Sequence, residues 1–155
     1  MKVLLKSFQL LTLLLCTCQL TAAQASADME GEKTAVKEVI QNAVDAMYNN
    51  GDVALIHQYY HPDYALLLLV EGNQLYKMSL NDRIAHVREA LANNQFPAHE
   101  QVSIQFELVD VAYSTATVKF DYFRADRHTC IDIMTLYKFD EGWRIVSQTT
   151  HHIRD

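Results

Sequence analysis

The sequence predicts an α+β domain, and three observations carry the prediction. Helical periodicity marks the segments of the first half, two-residue alternation fills the second, and the 155 residues are 50% hydrophobic with only 4 Gly and 2 Pro. Three N-terminal helices should therefore pack on one face of a curved, mostly antiparallel sheet. A disordered or collagen-like chain is excluded, because 8 Tyr, 6 Phe and 1 Trp in so apolar a sequence bury enough surface to offset the ordering entropy. The length also excludes a two-domain enzyme.

The first 27 residues are set apart from the fold. Lys2 and Lys6 form a short basic region, Leu10 to Leu20 is an apolar run, and Ala25-Ser26-Ala27 is a small-x-small cleavage signal, which together read as a secretory signal peptide. Thr21-Ala22-Ala23 is an alternative cleavage site, and lipid attachment at Cys16 or Cys18 a minor alternative route. The apolar run is too short for a membrane span of about 20 residues, and nothing later supplies one. The expectation is an exported domain over 28–155, periplasmic or secreted.

Val36, Val39, Ile40, Ala43, Val44, Met47 and Tyr48 follow helical spacing between Thr34 and Asn49. That helix should end at Gly51, with Asp52 capping a second, short helix that Pro62 stops near Tyr60. Tyr64 to Val70 reads as a buried strand, Glu71 to Gln74 as its turn, and Leu75 to Met78 as a second strand. Ser79 and Asp82 make a capping box for a third helix carrying Leu80, Ile84, Val87 and Leu91 on one face. Val102 to Leu108, Ala116 to Tyr122, Thr129 to Phe139 and Trp143 to Thr150 are strands, the last two joined by Asp140-Glu141-Gly142.

Without the leader the chain loses Lys2 and Lys6 but no acid, so 11 basic residues face 19 acidic ones, a net charge of −8. Nucleic acid is thereby excluded as a partner, since the phosphate backbone needs a basic patch and there is none. Cys130 remains as the single thiol, which forbids an intramolecular disulfide.

Two segments carry a resemblance that covers nearly all of 28–155. Tyr59-Tyr60-His61-Pro62-Asp63-Tyr64 after the second helix, and the closing run from Ile131-Asp132-Ile133 through Lys138, Glu141-Gly142-Trp143-Arg144-Ile145-Val146 to His151-His152, resemble the nuclear transport factor 2-like superfamily. Within it the chain is most similar to the group labelled lumazine-binding and to SnoaL-like proteins. The resemblance implies an α+β cone whose sheet wraps a helix and leaves a pocket at the open end, commonly as a homodimer. The superfamily includes steroid isomerases, cyclases, dehydratases and non-catalytic binding domains, so function does not follow from fold.

Residues whose polarity contradicts their position are the site candidates. Asp132 lies in an apolar strand on the same face as Cys130, Met134 and Leu136. There its carboxylate is desolvated and can act as a general base or bond a ligand, or else serve only to order the core. His61, at the handover from helix to strand, is the second catalytic candidate, with a solvated helix-ending role as its alternative. Tyr60, Tyr64, Tyr122, Met134 and His152 are candidate ligand contacts; for the tyrosines, plain packing is the competing role.

Other chemistries have little support. His57 and His61 have i, i+4 spacing, which Asp63 or Glu100 would need to complete, but no His-Glu-x-x-His or Cys pair exists, so no metal is expected. His151 and His152 point to opposite faces of a strand. Cys130 reads as inert core, and Arg124, Asp126, Arg127 and His128 as an exposed loop between strands. The isolated glycines exclude a phosphate-binding loop, and no cofactor is implied. Three readings stand: an exported domain binding a small, partly apolar molecule; a cofactor-independent isomerase, cyclase or dehydratase using Asp132 as base; and a structural or interaction module.

Overall fold

The computed structural model describes residues 28–70 and 74–153. The leader and most of the expected turn from Glu71 to Gln74 lie outside them. The chain divides after Thr34. In the first unit the described residues, 28–34, are helical, with Lys33 bonded to Glu30 at 2.8 Å and Thr34 Oγ1 to the Glu30 carbonyl at 2.9 Å.

In the second unit, helix α1 covers residues 35–44 and widens into a π-helical turn over Asp45–Asn50. Gly51 closes it at φ 69°, the left-handed conformation that glycine adopts without a Cβ penalty. Asp52 then caps α2 (Val53–Tyr59) by accepting from the Ala54 and Leu55 amides. Strand β1 (Tyr60–Val70) follows at once, four residues earlier than expected. Pro62 does not end the helix; it sits inside β1, in an irregular stretch between the Tyr60 and Ala65 pairings, where no ladder bond is required of it.

β2 (Gln74–Ser79) leads into α3 (Leu80–Ala92), whose capping box has both halves: the Ser79 hydroxyl accepts from the Asp82 amide, and Asp82 accepts from the Ser79 amide. Among the described residues of this unit, two helices, not three, thus precede the first strand; α3 falls between the β1–β2 hairpin and the remaining strands. These are β3 (Val102–Ala112), β4 (Thr115–Arg124), β5 (Arg127–Phe139) and β6 (Gly142–His152). The sheet order is β2-β1-β6-β5-β4-β3, antiparallel except where β1 runs parallel to β6. Ile40, Val44, Ile56, Ile84 and Val87 of the helices join Leu66, Val118, Phe120, Met134, Leu136 and Ile145 of the strands in one core.

Besides an extra residue at Thr129 in β5, bulges reset the alternation in β3 and β6. An extra residue at Glu107 flips the end of β3, so Leu108, expected inward, is exposed while Val109 and Val111 turn toward the core. An extra residue at Val146 does the same in β6: Leu136 pairs with Ile145 but Thr135 with Ser147. Beyond it, Gln148, Thr150 and His152 stand opposite Met134, Asp132 and Cys130 and share their face of the sheet. No helix among the described residues is long and apolar enough to cross a membrane.

Candidate functional site

The inward face of β4, β5 and β6 forms the floor of a cavity of about 280 Å³. Strand β4 supplies Tyr122 and Arg124, β5 supplies Cys130 and Asp132, β6 supplies Gln148, Thr150 and His152, and β1 adds Leu66 and Leu68. Tyr48, from the π-helical turn after α1, and Arg83, from α3, complete the wall. The lining is thus a floor of alternate strand residues closed by one side chain from each of two helical segments.

Asp132 is 2% exposed. Its Oδ2 accepts from Gln148 Nε2 at 2.8 Å, the same nitrogen reaches Thr150 Oγ1 at 3.2 Å, and Gln148 Oε1 accepts from the Tyr64 hydroxyl at 2.6 Å. The carboxylate takes the amide's N–H and the phenol takes its carbonyl, so Gln148 is oriented by both neighbours. Oδ1 of Asp132 is buried without a hydrogen-bond partner among the described residues. Burial raises the Asp132 pKa from the ordinary carboxylate range, against the pull of Thr150, Arg83, Gln148 and His152, which favour the charged form. Burial likewise pushes the Cys130 thiol up to about 11, with Asp132 adding to it, which keeps the sulfur a poor nucleophile.

A second set of contacts crosses the opposite wall. Arg83 donates to the Tyr48 hydroxyl and, at 2.7 Å, to Met47 Sδ, with its guanidinium 5.1 Å from the Tyr48 ring centre. Tyr48 meets Tyr122 edge to face at 5.2 Å, and the Tyr122 hydroxyl accepts from Arg124 at 3.5 Å. Arg83, Tyr48, Tyr122 and Arg124 therefore form a continuous row. Tyr48 and Arg83 also border a neighbouring cavity of about 240 Å³ with Met78, Val87 and Phe96, so the pair separates the two spaces.

Of the residues named from the sequence, Asp132, Tyr122 and His152 line the cavity. Tyr64 acts one layer below, through Gln148. Tyr60 and Met134 are fully buried core and do not line it; the Tyr60 ring packs edge to face on Tyr64 at 4.9 Å and its hydroxyl has no hydrogen-bond partner among the described residues. His61 lies elsewhere: its ring stacks on Phe139 at 4.9 Å, and its Nδ1 accepts from the Asp63 amide. Phe139 is nine residues along β5 from Cys130, about 30 Å at the usual strand rise, because β1 starts beside the β5–β6 turn and only its later residues reach the cavity. His57 remains on α2 while His61 is on β1, so the two share no helix face, and no cluster of three metal-ligating residues occurs among the described residues.

Arg83, Arg124, Tyr48 and Gln148 were not anticipated. Two left a readable signal: Arg83 is three residues after Leu80 and four before Val87, on the buried stripe of α3, and Arg124 continues the inward alternation Val118, Phe120, Tyr122. Arg124 belongs to β4 and the cavity, not to an exposed loop. Gln148 left none, because the bulge at Val146 decides its face.

Solved structures of similar fold include an NTF-2 like protein of unknown function from Silicibacter pomeroyi (21% identity, TM-score 0.64, covering 77% of this chain and 94% of that one). An NTF2-like protein of unknown function from Shewanella baltica matches at 15% identity and TM-score 0.65, covering 81% and 96%. A third, an NTF2-like protein from Cytophaga hutchinsonii, matches at 11% and 0.60, covering 79% and 98%. At these identities the likeness is one of fold. No curated protein matches the chain. Residues 31–151 match the model of a family described as "Putative lumazine-binding", a span that includes every cavity residue named above except His152; the chain belongs to that family and has the fold of the NTF2-like structures.

Proposed function

We propose that the protein is an exported domain that holds a small, partly apolar molecule in the cavity over β4, β5 and β6, at the open end of a cone made by helices on a curved sheet. One observation carries the reading: a single buried carboxylate, Asp132, fixed by Gln148 and Tyr64, stands in a cavity where apolar and aromatic side chains meet a few convergent polar ones. A concave site with a few convergent polar groups is the usual form of a small-molecule pocket. The family description supports the same kind of ligand. Export rests on the basic, apolar and small-residue pattern of the first 27 residues, and a homodimer on the resemblance to the superfamily.

Native mass spectrometry of the exported, gently purified protein tests this reading by subunit count and retained mass. We expect a small molecule that leaves when the protein is unfolded and is retained less by the Asp132→Asn variant. A protein that emerges empty and binds nothing from a fractionated small-molecule extract would refute it.

A second reading has its own support in the raised Asp132 pKa. A carboxyl group whose proton is held more tightly by burial can exchange one with a carbonyl ligand, as a cofactor-independent isomerase, cyclase or dehydratase requires. Asp132→Asn would then abolish turnover with the fold intact, whereas in a binder it changes affinity alone. An interaction module would show neither effect.

A further inference from the structure

The charges around the cavity do not balance. Two guanidinium groups, Arg83 and Arg124, line it against one carboxylate. Among the described residues neither lies within ion-pair distance of an acid: the partners of Arg83 are the Tyr48 phenol and the Met47 thioether, and that of Arg124 is the Tyr122 phenol. An arginine cannot shed its proton to escape burial, and a thioether is a weak acceptor, so the site holds a cation whose hydration is only partly replaced. Asp132 does not supply the missing charge, being engaged by Gln148 and biased by burial toward its neutral form.

We infer that the cavity selects an anion, a small carboxylate carried on an apolar body, with Arg83 as its counter-ion and Arg124 as the second cation. This rests on the small-molecule reading above and adds the ligand's charge and size. The planar guanidinium fork matches a carboxylate in two parallel bonds. Leu66, Leu68, Cys130 and the Tyr122 ring receive the apolar part. At about 30 Å³ per water volume, 280 Å³ admits a ligand on the order of ten non-hydrogen atoms.

Calorimetric titration of the full exported protein with benzoate, benzamide and benzylammonium tests this with an anion, a neutral molecule and a cation of one ring size. Benzoate is expected to bind at least about tenfold more tightly than benzamide, and benzylammonium not measurably. Arg83→Gln should weaken benzoate by about 30-fold or more and benzamide by less than about threefold, since removing one partner of a buried charge pair strands the other. Because Arg83 also packs on Met47 and Tyr48, Arg124→Gln at the end of β4 is the second variant: it should cost benzoate about tenfold and leave the melting temperature within a few degrees. Benzamide binding as tightly as benzoate would overturn the charge inference and leave the small-molecule reading standing. Failure of all three probes to bind at about 10 mM would overturn both.

Discussion

Asp132 is kept in a setting that penalises its charge, and stability should record this. The folded chain binds the Asp132 proton more tightly than the unfolded chain does. The stabilisation is therefore complete below the ordinary carboxylate range and is lost as pH rises through the raised folded-state pKa. Asp132→Asn cannot ionise and can still accept from Gln148 through its carbonyl oxygen. It should gain stability relative to the parent between about pH 4 and pH 8; urea unfolding at the two pH values measures the difference, and parallel curves for both proteins would count against it. The neighbouring phenol works in the opposite sense. Tyr64→Phe removes the donor to Gln148 Oε1 and leaves a buried acceptor unpaired, which should cost about 1–3 kcal/mol in the same unfolding experiment. The role of Tyr64 follows from its hydroxyl, which the sequence shows, and from Gln148 as its acceptor, which the sequence does not.

At the level of elements, periodicity and caps made most boundaries legible. Asp52, Ser79 with Asp82, and Gly51 each mark a helix end through a local bond or a special backbone angle, and local signals survive in a bare sequence. The bulges do not, since an extra residue is visible only against a partner strand. Unbroken alternation from Ile145 would send Ser147, Thr149 and His151 inward; the extra Val146 sends Gln148, Thr150 and His152 there instead. That is why Asp132 was readable as a candidate while the side chains that hold it were not. The Gly51 turn offers a test at this scale. A Cβ at φ 69° is unfavourable by itself, and it would lie 2.7 Å from Phe96 Cδ2, a side chain that borders the cavity next to the site. Gly51→Ala should therefore lose about 1–3 kcal/mol. Ser79→Ala, which removes one half of a capping box, should lose about 1 kcal/mol. Thermal unfolding of the two variants should rank them in that order, and an unperturbed Gly51→Ala would show that the turn relaxes freely.

Across the whole molecule, charge and cavity oppose each other. Residues 28–155 carry a net charge of −8, yet the cavity wall carries two arginines and a single acid biased toward neutrality. A large polyanion meets the repulsive surface field over many residues and cannot bring its phosphates or sulfates into a 280 Å³ space. A small carboxylate meets the same field only on approach, and its bound state is set by guanidinium groups within reach, where salt screens less than at the surface. The protein should accordingly pass through an immobilised heparin column without retention at low salt, where surface electrostatics are strongest, while still binding benzoate in solution. Arg83→Gln should weaken the second behaviour by the same factor of about 30 or more and leave the first as it was. Retention of the parent on heparin, released by salt, would mean that its arginines act as a surface patch open to polymers, and the assignment of Arg83 to a small-anion cavity would fall with it.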